Sequence, residues 1–313
     1  MILPFSIPSP DVSFLQIGPI RIYFYALWIL LGIVAATLWA SSRLTKRGAE
    51  RGVAIDFMVW SVVLGIIGAR IYHVVTHFGD YFGPGKDLWK VFATWEGGIA
   101  IFGALLGGAI GVLIASRLTG VRFWSFADAL VPGLLLAQAF GRLGNWFNHE
   151  LFGGPTTMPW GLEIASSNPE FPVGLPEGTL FHPTFLYELL WNLLGIVVLL
   201  AIERRLKPRW GTFLGMYFIW YGIGRAVVES IRVDPSLIIL GLRTNVFTAL
   251  VAIVAGIVLI LVQRRRHPGI ETSVYLPGRR NPVQSIEEET ANPDEYHHVL
   301  EARSAKGSVA ADA

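Results

Sequence analysis

The chain has 313 residues, of which 53% are hydrophobic and only 15% charged, against roughly a quarter charged in soluble domains. Lys+Arg and Asp+Glu nearly cancel, 25 against 23, so no broad cationic face is available for nucleic acid. The lack of cysteine excludes a disulfide scaffold, a thiolate nucleophile and thiolate metal ligation. A chain this apolar, with 34 Gly and 11 Trp, reads as an all-α polytopic membrane protein.

A spanning helix needs ~20 mostly apolar residues. Seven runs qualify, near 20–40, 53–75, 97–116, 126–140, 184–202, 211–230 and 244–262. The fourth is short, with a Gly-rich stretch after it through which the helix can extend. The first is unlike a signal peptide: no basic region precedes it, it is too long, and a basic loop follows. Basic residues alternate between the two sides. Arg43, Lys46, Arg47, Arg51, Arg117, Arg122, Arg204, Arg205, Lys207, Arg209, Arg264, Arg265 and Arg266 fall on one side. Arg21, Lys86, Lys90, Arg142, Arg232 and Arg243 fall on the other. The excess predicts seven transmembrane helices with the N-terminus outside and the C-terminus cytoplasmic. The membrane domain covers 1–262 and includes a Gly/Pro-rich outside segment at 141–183, too long for a mere connector. The tail 263–313, basic at first and acidic at Glu287–Glu289, is expected to be disordered.

Ionisable groups inside spans are costly and point to function. In the sixth span Tyr221, Arg225, Glu229 and Arg232 lie at about 0°, 40°, 80° and 20° around a helix, on one face of its outer half. The fourth span exits into Gly141-Arg142-Leu143-Gly144-Asn145-Trp146-Phe147-Asn148-His149-Glu150. There glycine permits close backbone approach, arginine offers a planar fork for phosphate, and asparagine can orient an oxygen. Tyr25 in the first span, Arg70 and His73 in the second, Glu96 before the third, and His182, Tyr187, Glu188 and Asn192 around the fifth lie at the same expected level. The pattern predicts one site facing the outer leaflet. Plainer readings exist for several residues. Arg70 can snorkel, Arg225 and Glu229 can form a structural ion pair, and Asp128, after Ser125, fits a helix cap. His73 and His77 have metal-ligand spacing but no nearby carboxylate.

Taken in order, these runs resemble the phosphatidylglycerol–prolipoprotein diacylglyceryl transferases. Residues 141–150 are similar to that family's G-R-x-G-N-[FW]-x-N-x-E signature. Ile17-Gly18-Pro19 leading to Tyr25, Trp95-Glu96-Gly97-Gly98, His182-Pro183-Thr184-Phe185-Leu186-Tyr187-Glu188 and the Tyr221-to-Arg232 helix resemble its other motifs. The resemblance covers roughly 15–262 and departs at Phe102, where many members carry a histidine.

The resemblance implies a multi-pass enzyme of the bacterial cytoplasmic (inner) membrane. It would move the diacylglyceryl group of phosphatidylglycerol to the lipobox cysteine of a prolipoprotein signal peptide, the first step of lipoprotein maturation, without metal or other cofactor. Arg142 and Arg225 are the expected phosphate contacts, and Arg232, with Tyr221, His182 and Asn148, would engage the lipid. Asn145 and Tyr25 would orient oxygens. Since Phe102 accepts no proton, the base is sought among Glu229, Glu150, His149 and His182, with Glu229 favoured; lowering of the thiol pKa by arginine charge alone is the alternative. A transporter would need polar residues along a whole path, a metal-dependent phosphotransferase would need a carboxylate cluster, and a scaffold would not need the Arg/Asn/Glu run.

Overall fold

In lipid every backbone amide must be bonded within its own segment, so long apolar runs fold as helices. A computed structural model describes residues 6–234, 238, 239, 241–269 and 271–279. Its helices are α1 (Phe24–Thr45), α2 (Val53–Thr76), the short α3 (Phe78–Tyr81), α4 (Ile101–Thr119), α5 (Phe123–Phe147), α6 (Thr184–Leu206), α7 (Thr212–Glu229) and α8 (Thr244–Arg266). Six of them (α1, α2, α4, α5, α6 and α8) are long and apolar enough to cross a membrane. The remaining long helix, α7, has 18 residues, and Arg225, Glu229 and its glycines and tyrosines dilute its apolar character.

The expected all-α character needs one correction. Three two-stranded antiparallel pairs occur: β1 (Phe14–Ile17) with β2 (Ile20–Tyr23), β3 (Leu162–Glu163) with β4 (Leu180–Phe181), and β5 (Ile238–Ile239) with β6 (Leu242–Arg243). The segment expected as an outside loop from 141 begins as helix, because α5 runs on to Phe147. Beyond it Phe152, Leu162, Ile164, Phe181 and Phe185 form a small apolar core of their own, and Ile7 bridges to Leu162.

The chain divides into two compact units. The first comprises Met1–Arg43 and Phe123–Thr272. Between lipid-embedded helices close packing, rather than exclusion of water, supplies the attraction, and small residues set the approach. A Cβ on Gly133 would lie 2.8 Å from the Cα of Ala36, which brings α1 against α5. A Cβ on Gly222 would lie 2.6 Å from the Ala249 carbonyl, which brings α7 against α8. The α6–α7 contact is reciprocal: Trp191 and Trp220 stack at 4.4 Å, and each indole N–H donates to the other's carbonyl at 3.2 Å. Val131, Leu135, Leu199, Phe213 and Tyr217 fill the core between α5, α6 and α7.

Asp128 does cap a helix, but not its own. Its carboxylate accepts from the backbone amides of Gly211 and Leu214, both at 2.9 Å, and so closes the first turn of α7. This satisfies two of the four orphan donors at that terminus.

The second unit comprises Leu44–Arg122 and Ser273–Ala313. Here α2 and α4 meet along glycines; a Cβ on Gly107 would lie 2.9 Å from the Leu64 carbonyl carbon. Arg70 is buried rather than snorkelling. Its guanidinium donates to the carbonyls of Val91 (2.8 Å), Gly97 (2.7 Å), Gly98 (2.9 Å) and Lys90, fixing the two 3-10 turns Leu88–Phe92 and Thr94–Glu96. Phe102 packs beside Tyr72 with ring centres 6.1 Å apart. Part of the expected tail has definite structure: Val274 and Tyr275 are buried, the Arg122 amide donates to Val274, and the Tyr275 hydroxyl accepts from the Glu50 amide at 2.9 Å. Residues 280–313 of that tail, with Glu287–Glu289, lie outside the described residues.

Candidate active site

Arg142 and Asn145 sit three residues apart on the last turns of α5, so their side chains meet. Arg142 Nη1 donates to Asn145 Oδ1 at 3.0 Å, and Asn145 Nδ2 donates to Glu150 Oε1 at 2.7 Å. Asn148 Nδ2 adds a second donor to the same Glu150 oxygen at 3.3 Å. The chain turns back to allow this, with His149 and Leu151 both at positive φ, 53° and 61°. The ring of Tyr25 lies over Gly144, where a Cβ would come within 2.7 Å of its Cδ2. That approach sets the phenol close enough to Glu150 and Arg142 to feel both charges.

From α6 Glu188 reaches between two arginines. Its Oε2 lies 3.1 Å from Arg142 Nε and its Oε1 lies 3.7 Å from Arg225 Nη1. Arg225 continues along α7 to Glu229, at 3.1 Å from Nη2 to Oε2, as the i,i+4 spacing allows. Glu229 is fully buried. Its other oxygen accepts from Arg243 Nε at 2.9 Å and Asn245 Nδ2 at 3.0 Å, and Arg232 Nε stands 3.8 Å from Oε2. Arg232 donates to Asp234 at 2.6 Å, and Arg243 ties down the backbone carbonyls of Arg232 and Asp234. Burial works against the Arg232 charge, but the hydrogen bond and charge of Asp234, with Glu229 and Glu188, outweigh it and raise its pKa further.

The expected face of Tyr221, Arg225, Glu229 and Arg232 is thus joined to the Arg142–Asn145–Glu150 run in one network. A cavity of about 20 Å³, room for a single water, lies among Gln138, Arg142, Glu188, Asn192, Tyr221 and Arg225. The Gln138 side-chain carbonyl oxygen is buried there without a hydrogen-bond partner among the described residues, while its amide donates to Tyr217. Two expected residues contact other groups. His182 meets the Tyr187 hydroxyl at 3.1 Å, and His149 meets the Pro10 carbonyl at 2.6 Å. His73 and His77 stack at 4.2 Å in the second unit. Among the described residues no group of three His, Cys, Asp or Glu is placed to hold a metal ion.

Sequence reasoning placed Glu188 at the level of the site but gave it no role, and it missed Arg243, Asn245, Asp234 and Gln138. Arg243 and Asn245 stand just ahead of an apolar run, where a basic residue reads as an ordinary loop charge; their tie to Glu229 exists only in three dimensions.

A family model for prolipoprotein diacylglyceryl transferase matches residues 12–262. The chain belongs to that family. It is 56% identical to the phosphatidylglycerol–prolipoprotein diacylglyceryl transferase of Leifsonia xyli subsp. xyli, across 94% of this chain and 92% of that one. It is 46% identical to the enzymes of the same name from Paenarthrobacter aurescens (87% of this chain, 88% of that one) and Mycobacteroides abscessus (82% and 78%). The family membership makes this chain a transferase, and the Arg/Asn/Glu network falls wholly within the matched residues.

Proposed function

We propose that this chain transfers the diacylglyceryl group of phosphatidylglycerol to the thiol of a prolipoprotein lipobox cysteine. It does so from a bacterial cytoplasmic membrane, with seven crossing helices including α7, the N-terminus outside and the C-terminus cytoplasmic. The thiol sulfur attacks the glyceryl carbon bonded to the phosphate oxygen. A C–S bond forms, the C–O bond breaks, and glycerol phosphate leaves with the electron pair. The reaction calls for charge stabilisation at the leaving phosphate and an acceptor for the thiol proton.

The observation that carries this reading is the meeting of Arg142 and Arg225 at Glu188. Two guanidinium groups from different helices are held in place before a substrate arrives. Preorganised donors of this kind contribute about 2.7–4 kcal/mol each to a transition state in which charge develops. Asn145 and Tyr25 orient oxygens beside them. Arg232, with Tyr221 and Asn148, completes the lipid-facing set, while His182 turns to the Tyr187 hydroxyl.

Glu229, favoured as base on sequence grounds, is occupied by Arg225, Arg232, Arg243 and Asn245. It serves as the counter-ion that aims the arginines. Glu150 is the better acceptor, because only neutral amides hold its Oε1 and it shares the network with Arg142. Both substrates are membrane-embedded and enter sideways between helices.

The test is an incubation of the purified protein with labelled phosphatidylglycerol and a peptide carrying a lipobox cysteine. Label should move to the peptide without added metal. Arg142→Ala and Arg225→Ala should nearly abolish transfer, while His149→Ala should be mild. Full activity of a normally folded Arg142→Ala protein would refute the assignment.

A further inference from the structure

We propose that the chain holds a second lipid site, which takes the phosphate headgroup of an anionic phospholipid at the end of α7 away from the arginine–glutamate network. The 18 residues of α7 separate the two by about 27 Å. The proposal rests on the membrane-spanning reading of these helices and not on the transferase chemistry.

Where α6 ends, α7 begins and α8 ends, the first unit contains a cavity of about 600 Å³. Arg205, Lys207 and Arg264 line it together with Trp210, His267 and Met216. The neighbouring carboxylates have partners of their own. Glu203 takes Arg43 at 2.7 Å and Arg209 at 3.5 Å, and Glu271 in the cavity wall accepts the Ser125 hydroxyl. Among the described residues no carboxylate stands within ion-pairing distance of Arg205, Lys207 or Arg264. Three cations therefore face one cavity whose one lining carboxylate among the described residues, Glu271, turns to the Ser125 hydroxyl and forms no ion pair with them.

An excess of basic residues at this end is expected for any multi-pass protein. That rule accounts for the charges but not for the built cavity. The turn at 207–211 is held in a demanding form: Lys207 and Trp210 adopt left-handed φ of 45° and 60° although neither is glycine. Trp210 stacks flat on His267, at 4.1 Å and 6°, which joins this turn to the end of α8. Asp128 fixes the following Gly211 amide. The exposed Leu206 lies on the same wall as the cations. A ligand that satisfies both features is an amphiphile, with phosphate at the guanidinium and ammonium groups and acyl chains along the exposed Val197, Val258 and Leu261, which precede the basic last turns of α6 and α8. Basic pockets between helix ends suit such headgroups.

The experiment is native mass spectrometry of the purified full-length protein titrated with phosphatidic acid, and separately with inorganic phosphate. Phosphatidic acid lacks the glycerol phosphate leaving group, so it binds without turnover, and the variants are compared in an Arg142→Ala background that removes a phosphate contact of the transferase site. The combined Arg205→Gln, Lys207→Gln, Arg264→Gln variant should bind phosphatidic acid about 150-fold more weakly. The control Arg204→Gln, Arg265→Gln, Arg266→Gln removes the same charge at the same end from residues outside the cavity and should stay within about two-fold. Equal loss in both, or no loss in the first, overturns the site. Inorganic phosphate binding as tightly as the lipid overturns the lipid assignment. Should the cavity variant fold poorly, photoactivatable phosphatidic acid on the unaltered protein decides. Adducts on 205–216 and 263–269 support the proposal, and adducts confined elsewhere overturn it. Transfer from labelled phosphatidylglycerol reads the other end of α7, so failure here leaves the transferase reading intact.

Discussion

Replacing Glu188 by glutamine keeps its size and removes its charge. The carboxylate lies 3.1 Å from Arg142 and 3.7 Å from Arg225, and at an effective dielectric of ~20 each attraction is worth about 5 kcal/mol before desolvation. Desolvation cancels much of this, and removing one partner of a buried pair costs about 3–5 kcal/mol. The Arg142 side chain is 22% exposed, so water recovers part of the loss and about 2–3 kcal/mol is expected. Glu188→Gln should therefore lower the melting temperature and release both guanidinium groups from their preset positions. Two effects on activity oppose each other. Misaimed arginines lower kcat, by about 100-fold if one donor's worth of transition-state stabilisation is lost. The missing carboxylate no longer competes with the substrate phosphate, so KM for phosphatidylglycerol should stay level or fall. Steady-state kinetics in mixed micelles separates the two. A normal kcat, or a KM that rises while kcat holds, would show that Glu188 does not aim these arginines.

Gly144→Ala should displace Tyr25, costing about 1–3 kcal/mol of stability, and reduce transfer at least as much as Tyr25→Phe; equal activity to the parent in the peptide assay would exclude the contact. Asp128→Ala removes two buried acceptors from the start of α7 and should cost about 2–3 kcal/mol in thermal unfolding. Its activity per folded molecule should be preserved, because the change lies a helix length from the network. Arg70→Lys leaves carbonyls of residues 90, 91, 97 and 98 without their planar donor, and limited proteolysis within 86–98 should quicken markedly; an unchanged cleavage rate would contradict the role given to Arg70.

The spans were legible because lipid imposes a length and a composition on helices. The expected runs at 53–75, 184–202 and 211–230 match α2, α6 and α7 closely at their starts. The α7 face was legible for the same reason, since 3.6-residue periodicity alone puts Tyr221, Arg225, Glu229 and Arg232 together. Periodicity does not cross from one helix to the next. It could not show that Glu188 on α6 faces Arg142 on α5, nor that Asp128 caps α7 rather than its own helix. The hairpin at Phe14–Tyr23 escaped because its residues, Phe14, Leu15, Ile17, Ile20, Ile22 and Tyr23, read as an extension of the apolar run that follows. Beyond 140 the glycines left a loop and a continued helix both open, and Arg142 and Asn145 depend on α5 continuing to Phe147 for their shared face.

Arg70 and Arg142 show how the same residue near a span end divides into structural and functional cases. A guanidinium has five N–H donors. Arg70 makes four hydrogen bonds to backbone carbonyls, leaving almost no donor capacity for a ligand, and its loss is a folding problem. Arg142 uses Nε toward Glu188 and Nη1 toward Asn145, which leaves several donors beside a polar cavity. Both of its partners are side chains on helices, able to rotate aside without unfolding anything. Among the described residues Arg225 likewise pairs with carboxylates, those of Glu188 and Glu229. A phosphate oxygen can replace a carboxylate oxygen on such an arginine at little cost in geometry, whereas it cannot replace the backbone around Arg70 without dismantling the 88–96 turns. The distinction between anchoring and anion-binding arginines thus lies in what their donors already hold, a property of packing that the spacing of charges along a chain does not carry.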